Sequence, residues 1–337
     1  MNTGNVVIFG ANGFLGRYLT RHYLDQGREV AAVARHGEGI DRRAMFLPWD
    51  GRTPGPWSLA LEGAALVVNL AGRSVDCRYD ESNRREILAS RVDSTRAIGE
   101  AIAACKVPPR VWMNSSTATW YRDARDRPQD EWSGEPGEGF SVEVARAWEE
   151  SFFSAKVPGA VRKVALRTGM VLADEPGTVL EVLRRLAKSG LGGRMGPGRQ
   201  RVAWIHMEDF IGAMEHLEQD MLADGVFNLT APRVPTNAEL MRTLRETVAM
   251  PVGLPAARWM LEIGACLMRT ETELVLKSRW VVPARLEAEG FGFRWPELGP
   301  AVADLLERPG VEGFFGRPVK RSVGHRAWVS PRRVEPA

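Results

Sequence analysis

Three glycines near the start of the chain, Gly10, Gly13 and Gly16, stand in the spacing GxxGxxG, and that spacing has a definite chemistry. The first permits a tight turn, the second lets backbone approach a pyrophosphate, and the third lets a helix pack closely on a strand. Phosphates would rest on the run Gly10, Ala11, Asn12, Gly13, Phe14, Leu15 and Gly16, on free N–H groups at the positive end of a helix dipole. Two side chains further along can carry a proton. Tyr121 has Asp123 and Arg125 nearby, and an adjacent cation lowers a phenol pKa; the alternative is a tyrosine that binds substrate or packs. His206, in the run from Trp204 to Asp209, titrates near neutrality; the alternative is a structural histidine before a helix capped by Asp209. Arg194, Arg199 and Gln200, with Trp204 just beyond, follow a glycine-rich loop and are able to grip a phosphate or carboxylate of a small-molecule substrate. His22, His36, His216 and His325 stand alone, so no metal is expected.

The elements that must position these groups follow from the apolar periodicity. Asn5 to Phe9 is a short β-branched strand that runs straight into the glycines, and Phe14, Leu15, Tyr18, Leu19 and Tyr23 then recur at helical spacing until Gly27. A second strand starts at Glu29, which completes the βαβ unit that a dinucleotide fingerprint requires. Further strands are expected at 45–47, 65–70, 111–115, 164–166 and 226–229, and helices at 83–104, 142–154, 179–188 and 207–221, with mostly helical segments over 237–306. Alternation of this kind predicts an α/β Rossmann fold, a doubly wound parallel sheet, with a smaller and mostly helical C-terminal substrate domain. The expected divisions are 1–170 for the nucleotide-binding domain (with the strand near 226–229), 171–306 for the substrate region and 307–337 for a tail. Tyr121 then falls at the carboxyl end of the fifth strand, where open sheets place their ligand crevice, and the loop over 190–210 is expected to close over the ligand. The second strand ends in Ala34, Arg35 and His36 with no acid, which selects NADP(H), with Arg35 on the 2′-phosphate.

Composition bounds the alternatives. The 337 residues are 44% hydrophobic and 26% charged, as in a packed protein rather than a disordered one. No apolar run reaches the roughly 20 residues of a membrane span, Trp259 to Met268 included, and a cytoplasmic protein is expected. Cys77, Cys105 and Cys266 are far apart and read as reduced thiols. A net charge of +3 is too small to argue for nucleic acid. It belongs to the tail, where seven basic residues face three acids after residue 306. Such an end is either a contact for an acidic protein partner or a solvated arm.

The glycine run, Val68-Asn69-Leu70-Ala71-Gly72, Ser90-Arg91, Ser115-Ser116-Thr117-Ala118-Thr119 with Tyr121, Trp148-Glu149 and the stretch from Leu166 to Leu172 together resemble the extended short-chain dehydrogenase/reductase superfamily. The resemblance is to its atypical epimerase family branch, similar to nucleoside-diphosphate-sugar epimerases, and covers nearly all of residues 5 to 306. It implies an adenosine-side turn at Leu70, Ala71 and Gly72, a nicotinamide-side segment with Gly169, Val171 and Leu172, cofactor contact by Arg91, and Thr117 orienting the reacting oxygen. It also exposes a departure. Ordinary members pair Tyr and Lys four residues apart on one helix, whereas here the aligned pairs are Phe140/Val144 or Ser141/Ala145, and Arg91 stands where an Asn is usual. Two functions follow as expectations: an NADP(H)-dependent oxidoreductase or epimerase using Tyr121 or His206 for the proton, or a non-catalytic NADP(H)-binding redox sensor.

Overall fold

The computed structural model describes residues 4–257 and 273–307. The tail beyond Glu307, Cys266 and the stretch from Trp259 to Met268 lie outside the described residues. Val6–Phe9 (β1), Val30–Ala34 (β2) and Leu66–Asn69 (β4) are apolar nearly throughout and buried along their whole length, as strands covered on both faces must be. With Met45–Pro48 (β3), Val111–Thr117 (β5), Arg162–Thr168 (β6) and Gly225–Leu229 (β9) they form a seven-stranded parallel sheet in the order β3-β2-β1-β4-β5-β6-β9. The expected Rossmann fold is therefore present, and the order reverses beside β1, where such sheets open a ligand crevice.

The side-chain period of two divides the core between the faces. Val6 and Ile8 pack with Leu19 and Tyr23 of Phe14–Asp25 (α1) and with Phe210 and Leu217 of Met207–Gln219 (α5). Val7 and Phe9 face the other way, toward Ile98 and Ile102 of Glu81–Ala103 (α2), Phe152 of Phe140–Ser154 (α3), Trp57 and Trp112. A separate helical core joins Leu180 and Leu183 of Val179–Lys188 (α4), Leu240, Met241 and Leu244 of Asn237–Thr247 (α6), and Val302 and Leu305 of Leu298–Glu307 (α9). Glu273–Leu276 (α7) and Ala284–Ala288 (α8) are short.

Several boundaries move for local reasons. Helix α2 starts at Glu81 because Asp80 caps it, its carboxylate accepting from the Asn83 N–H at 2.8 Å. Helix α3 starts at Phe140, directly after Gly139 at φ +96°. Two strands were not expected: Met170–Leu172 (β7) and Trp204–His206 (β8) form a small parallel ladder of their own.

The last described segment is sewn onto the sheet. Asn228 Nδ2 donates to the Val282 carbonyl at 2.9 Å and Thr230 Oγ1 to the Val281 carbonyl at 3.1 Å. Asp209 accepts from the N–H groups of Arg294 and Trp295, both at 2.8 Å. Among the described residues no helix is long and apolar enough to cross a membrane.

Candidate functional site

Two turns meet at the carboxyl ends of β1 and β4. Gly10, at φ +74°, donates its N–H to Val33 O, and a Cβ there would lie 2.9 Å from the Leu70 carbonyl and 3.0 Å from Ala71 N. The Asn69 side chain fixes the second turn by accepting from the Ala71 N–H at 3.0 Å. Gly16 lies on the first turn so tightly that a Cβ would sit 2.7 Å from Ala11 Cα and nearer still to Gly10 O. Gly13 is the N-cap of α1 and brings no capping side chain, which leaves first-turn N–H groups for an external anion. Ala11 is fully buried beneath them, and the Asn12 amide meets the His36 ring. Beside this cradle Arg35 emerges exposed from β2, and among the described residues no carboxylate pairs with it. The residues present fit a dinucleotide.

The cradle opens into a cleft of about 220 Å³ between α2, α3 and the end of β5. Leu70 and Gly72 form one wall, Arg91 and Tyr79 another, and Thr117 stands at the base. Thr117 Oγ1 accepts from the Thr119 N–H at 3.1 Å, so its proton remains available to a ligand. Phe140, Ser141 and Val144 line the α3 side while Ala145 is buried. The positions that would hold a Tyr–Lys pair therefore reach the cleft without a phenol or an ammonium.

Beneath the cleft lies a polar layer that sequence reading did not find. Asn69 Nδ2 donates to Asn114 Oδ1 (2.7 Å) and Thr95 Oγ1 (3.2 Å), and Trp148 Nε1 donates to Thr95 Oγ1 (3.0 Å). Ser116 Oγ donates to Glu149, whose carboxylate takes two parallel hydrogen bonds from Arg167 at 2.8 and 2.7 Å. Glu149 thus orients Arg167. An arginine directly after the apolar run Val164-Ala165-Leu166 was the available signal.

The expected proton carriers are placed elsewhere. Tyr121 is 1% exposed, its hydroxyl donates to Asn228 Oδ1 at 3.0 Å, and the Arg167 guanidinium stacks on Trp120 and Tyr121. Burial pushes its phenol above the ordinary value despite Arg167 and Asn228, the reverse of what a proton donor at neutral pH needs. Asp123 and Arg125 pair with each other instead. Tyr121→Phe is expected to cost about 1 kcal/mol, the usual net worth of one hydrogen bond, and to leave dinucleotide binding unchanged; denaturant unfolding and a fluorescence titration check the two halves.

His206, also 1% exposed, is the N-cap of α5: its Nδ1 accepts from the Glu208 N–H at 3.1 Å, Nε2 faces Asp304 at 3.4 Å, and the ring packs on Trp295. It takes the capping role expected of Asp209. The 190–198 loop does not lie over the cleft, because Asn237 Oδ1 accepts from Met195 N and the Gly193 and Gly196 N–H groups donate to Leu254 and Ala256. Gln200 and Trp204 are wholly buried and donate to the carbonyls of Met195 and Arg233. Arg194 lines a separate shallow groove with Arg242 and Arg245.

In the segment expected to face the nicotinamide, Gly169 marks the change from β6 to β7, where a Cβ would meet the Ala203 backbone at 3.0 Å, while Val171 and Leu172 face core clusters. None of the three lines the cleft. His216 is not isolated: it comes together with Asp220 and Glu289, though Glu289 already meets Arg285 at 3.1 Å.

Comparison with known proteins agrees with this geometry. Residues 6–230 match the NAD dependent epimerase/dehydratase family, and residues 256–305 match a domain of unknown function, DUF1731. The epimerase family protein SDR39U1 of Bos taurus is 30% identical over 306 residues, spanning 89% of this chain and 99% of that protein. An epimerase family protein of Mycobacterium leprae is 30% identical over 90% of this chain and 96% of its own length. The crystal structure of human SDR39U1 with NADPH superposes with a TM-score of 0.78 at 28% identity, covering 90% of this chain and 99% of that one. The resemblance drawn from the motifs is thereby borne out, and the chain belongs to the NAD dependent epimerase/dehydratase family as an NAD(P)-binding, epimerase-like member.

Proposed function

We propose that the protein binds NADP(H) and exchanges a hydride with a small polar metabolite held beside Thr117, as an oxidoreductase or an epimerase-like enzyme. The observation that carries this reading is the junction of the two halves: the Gly10 turn abuts the Leu70–Gly72 turn, and Leu70 and Gly72 are themselves a wall of the cleft. The cofactor, when bound, supplies or accepts the hydride. The chain's own residues hold the pyrophosphate on the first turn of α1, meet the 2′-phosphate through Arg35, and donate from the Thr117 hydroxyl to the substrate oxygen. Phe140, Ser141, Val144 and Ala145 supply no acid or base for the accompanying proton. The crystallisation of the human relative with NADPH supports the phosphorylated cofactor.

One observation favours a second reading, that of a non-catalytic NADP(H)-binding sensor. The cleft has no Tyr–Lys pair, and Tyr121 and His206 are committed to structural bonds. Cofactor fluorescence separates the two. NADPH should bind more tightly than NADH, and Arg35→Ala should weaken NADPH about 10- to 100-fold, the worth of a charge-assisted hydrogen bond, while leaving NADH unchanged. Addition of a small-metabolite extract should then bleach the bound NADPH faster than buffer does. Stable fluorescence would favour the sensor, and no binding of either nucleotide would remove both readings.

A further inference from the structure

Two buried guanidinium groups carry carboxylate partners. Arg28 meets Glu218 through hydrogen bonds of 2.9 and 2.8 Å, and Arg167 meets Glu149 at 2.8 and 2.7 Å. Arg91 is treated differently. Its Nη1 donates to the carbonyls of Arg73 (3.1 Å) and Ile87 (3.0 Å), and its guanidinium lies 5.1 Å from the centre of a Trp148 ring. Gly72 closes on it so nearly that a Cβ would stand 3.3 Å from Arg91 Cζ. Among the described residues no carboxylate pairs with it and nothing accepts from Nε or Nη2. Burial draws its pKa down to about 10, which still leaves the group charged at neutral pH. A guanidinium partly withdrawn from water and lacking a counter-charge is costly, and this one, half-buried, forms part of the cleft wall.

We propose that Arg91 is the contact for a carboxylate on the substrate, so that the cleft takes a small carboxylic acid bearing the reactive carbonyl or hydroxyl, in preference to a neutral aldehyde or sugar. This deepens the NADP(H) reading and rests on it. The free Nε–Nη2 edge matches the two coplanar oxygens of a carboxylate. The Thr117 hydroxyl supplies a donor for the second functional group, and Ser141 Oγ, buried on the α3 side without a hydrogen-bond partner, supplies another. Val75, Ile87, Phe140 and Val144 leave an apolar remainder suited to a short carbon chain. A volume near 220 Å³ lies below the roughly 300–1,000 Å³ of sites for larger ligands. The arginine is also held rigidly, because Thr95 fixes Trp148 and Asn69 and Asn114 fix Thr95, so little ordering is left for binding to supply.

The test is calorimetric binding of oxalate, with inorganic phosphate and acetaldehyde as comparison ligands, to full-length protein saturated with NADP⁺. Oxalate should bind and acetaldehyde should not. Arg91→Gln should weaken oxalate tenfold or more while the NADPH dissociation constant stays within about threefold; Arg91→Lys, which keeps the charge without the fork, should fall between, and it replaces the Gln variant should that one not fold. Equal loss of NADPH and oxalate in the variants would overturn the proposal by assigning Arg91 to the cofactor. Phosphate binding more tightly than oxalate in an Arg91-dependent manner would overturn the carboxylate assignment. NADPH binding without oxalate binding would sink the inference and spare the NADP(H) reading, whereas failure of NADPH itself would sink that reading.

Discussion

Gly16→Val is expected to abolish dinucleotide binding, with at least a hundredfold loss of NADPH affinity in whatever protein remains folded. The added carbons would enter the space of Ala11 Cα and Gly10 O. Both are backbone atoms of the cradle, so no side chain can swing aside. Overpacking alone costs about 1–3 kcal/mol, and here the strain falls on the atoms that must face a pyrophosphate. Gly13→Ala is the control for folding alone, since backbone at Gly13 is itself expected to approach the pyrophosphate. Gly13 has φ −74°, which any residue adopts, and its Cβ would meet only Gly10 O at 3.2 Å, so the variant should fold near wild-type stability. Circular dichroism with a fluorescence titration distinguishes the two, and a Gly16→Val protein with unaltered NADPH affinity would mean that the cradle does not hold the cofactor.

Glu149→Ala should be the most destabilising single change to a side chain of the polar layer. It leaves the Arg167 guanidinium buried without its two carboxylate bonds and deprives Ser116 of its acceptor. Breaking a buried ion pair from one side costs about 3–5 kcal/mol. The double variant Glu149→Leu with Arg167→Met removes both charges and should recover at least half of that loss. Urea unfolding of Glu149→Leu, Arg167→Met and the double variant, set against the unsubstituted protein, gives the coupling directly. Additive losses would show that the pair does not act as a unit.

The sheet was legible in the sequence because its central strands are buried on both faces and so appear as unbroken apolar runs such as Val6–Phe9 and Val30–Ala34. The cradle was legible because glycine spacing and the strand before it coincide. The small ladder was not, since three residues are too few to display a period of two. His206 and Asp209 are both able to cap a helix in isolation. Contacts with Asp304 and Trp295, nearly a hundred residues away, assign the cap to one, and the 294–295 backbone claims the other. The glycines over 190–198 read as a mobile cover, yet Gly193 is small because the Leu254 backbone lies against it. Arg91 was visible as a departure from the usual asparagine and as an expected cofactor contact; its lack of a counter-charge is a tertiary fact.

The stitching between the sheet and the 281–295 stretch bears on how such a gene can be reshuffled. The two family matches fall on separate stretches of sequence, 6–230 and 256–305, which invites the picture of two interchangeable cassettes. The bonds cross that join. Glu131 receives the N–H groups of both Asn228 and Arg285, Asn228 reaches Val282, and Asp209 receives 294 and 295. On the 281–295 side each of those partners is main chain, so an exchanged stretch would keep the bonds only where its backbone returned to the same register against Glu131, Asn228 and Asp209.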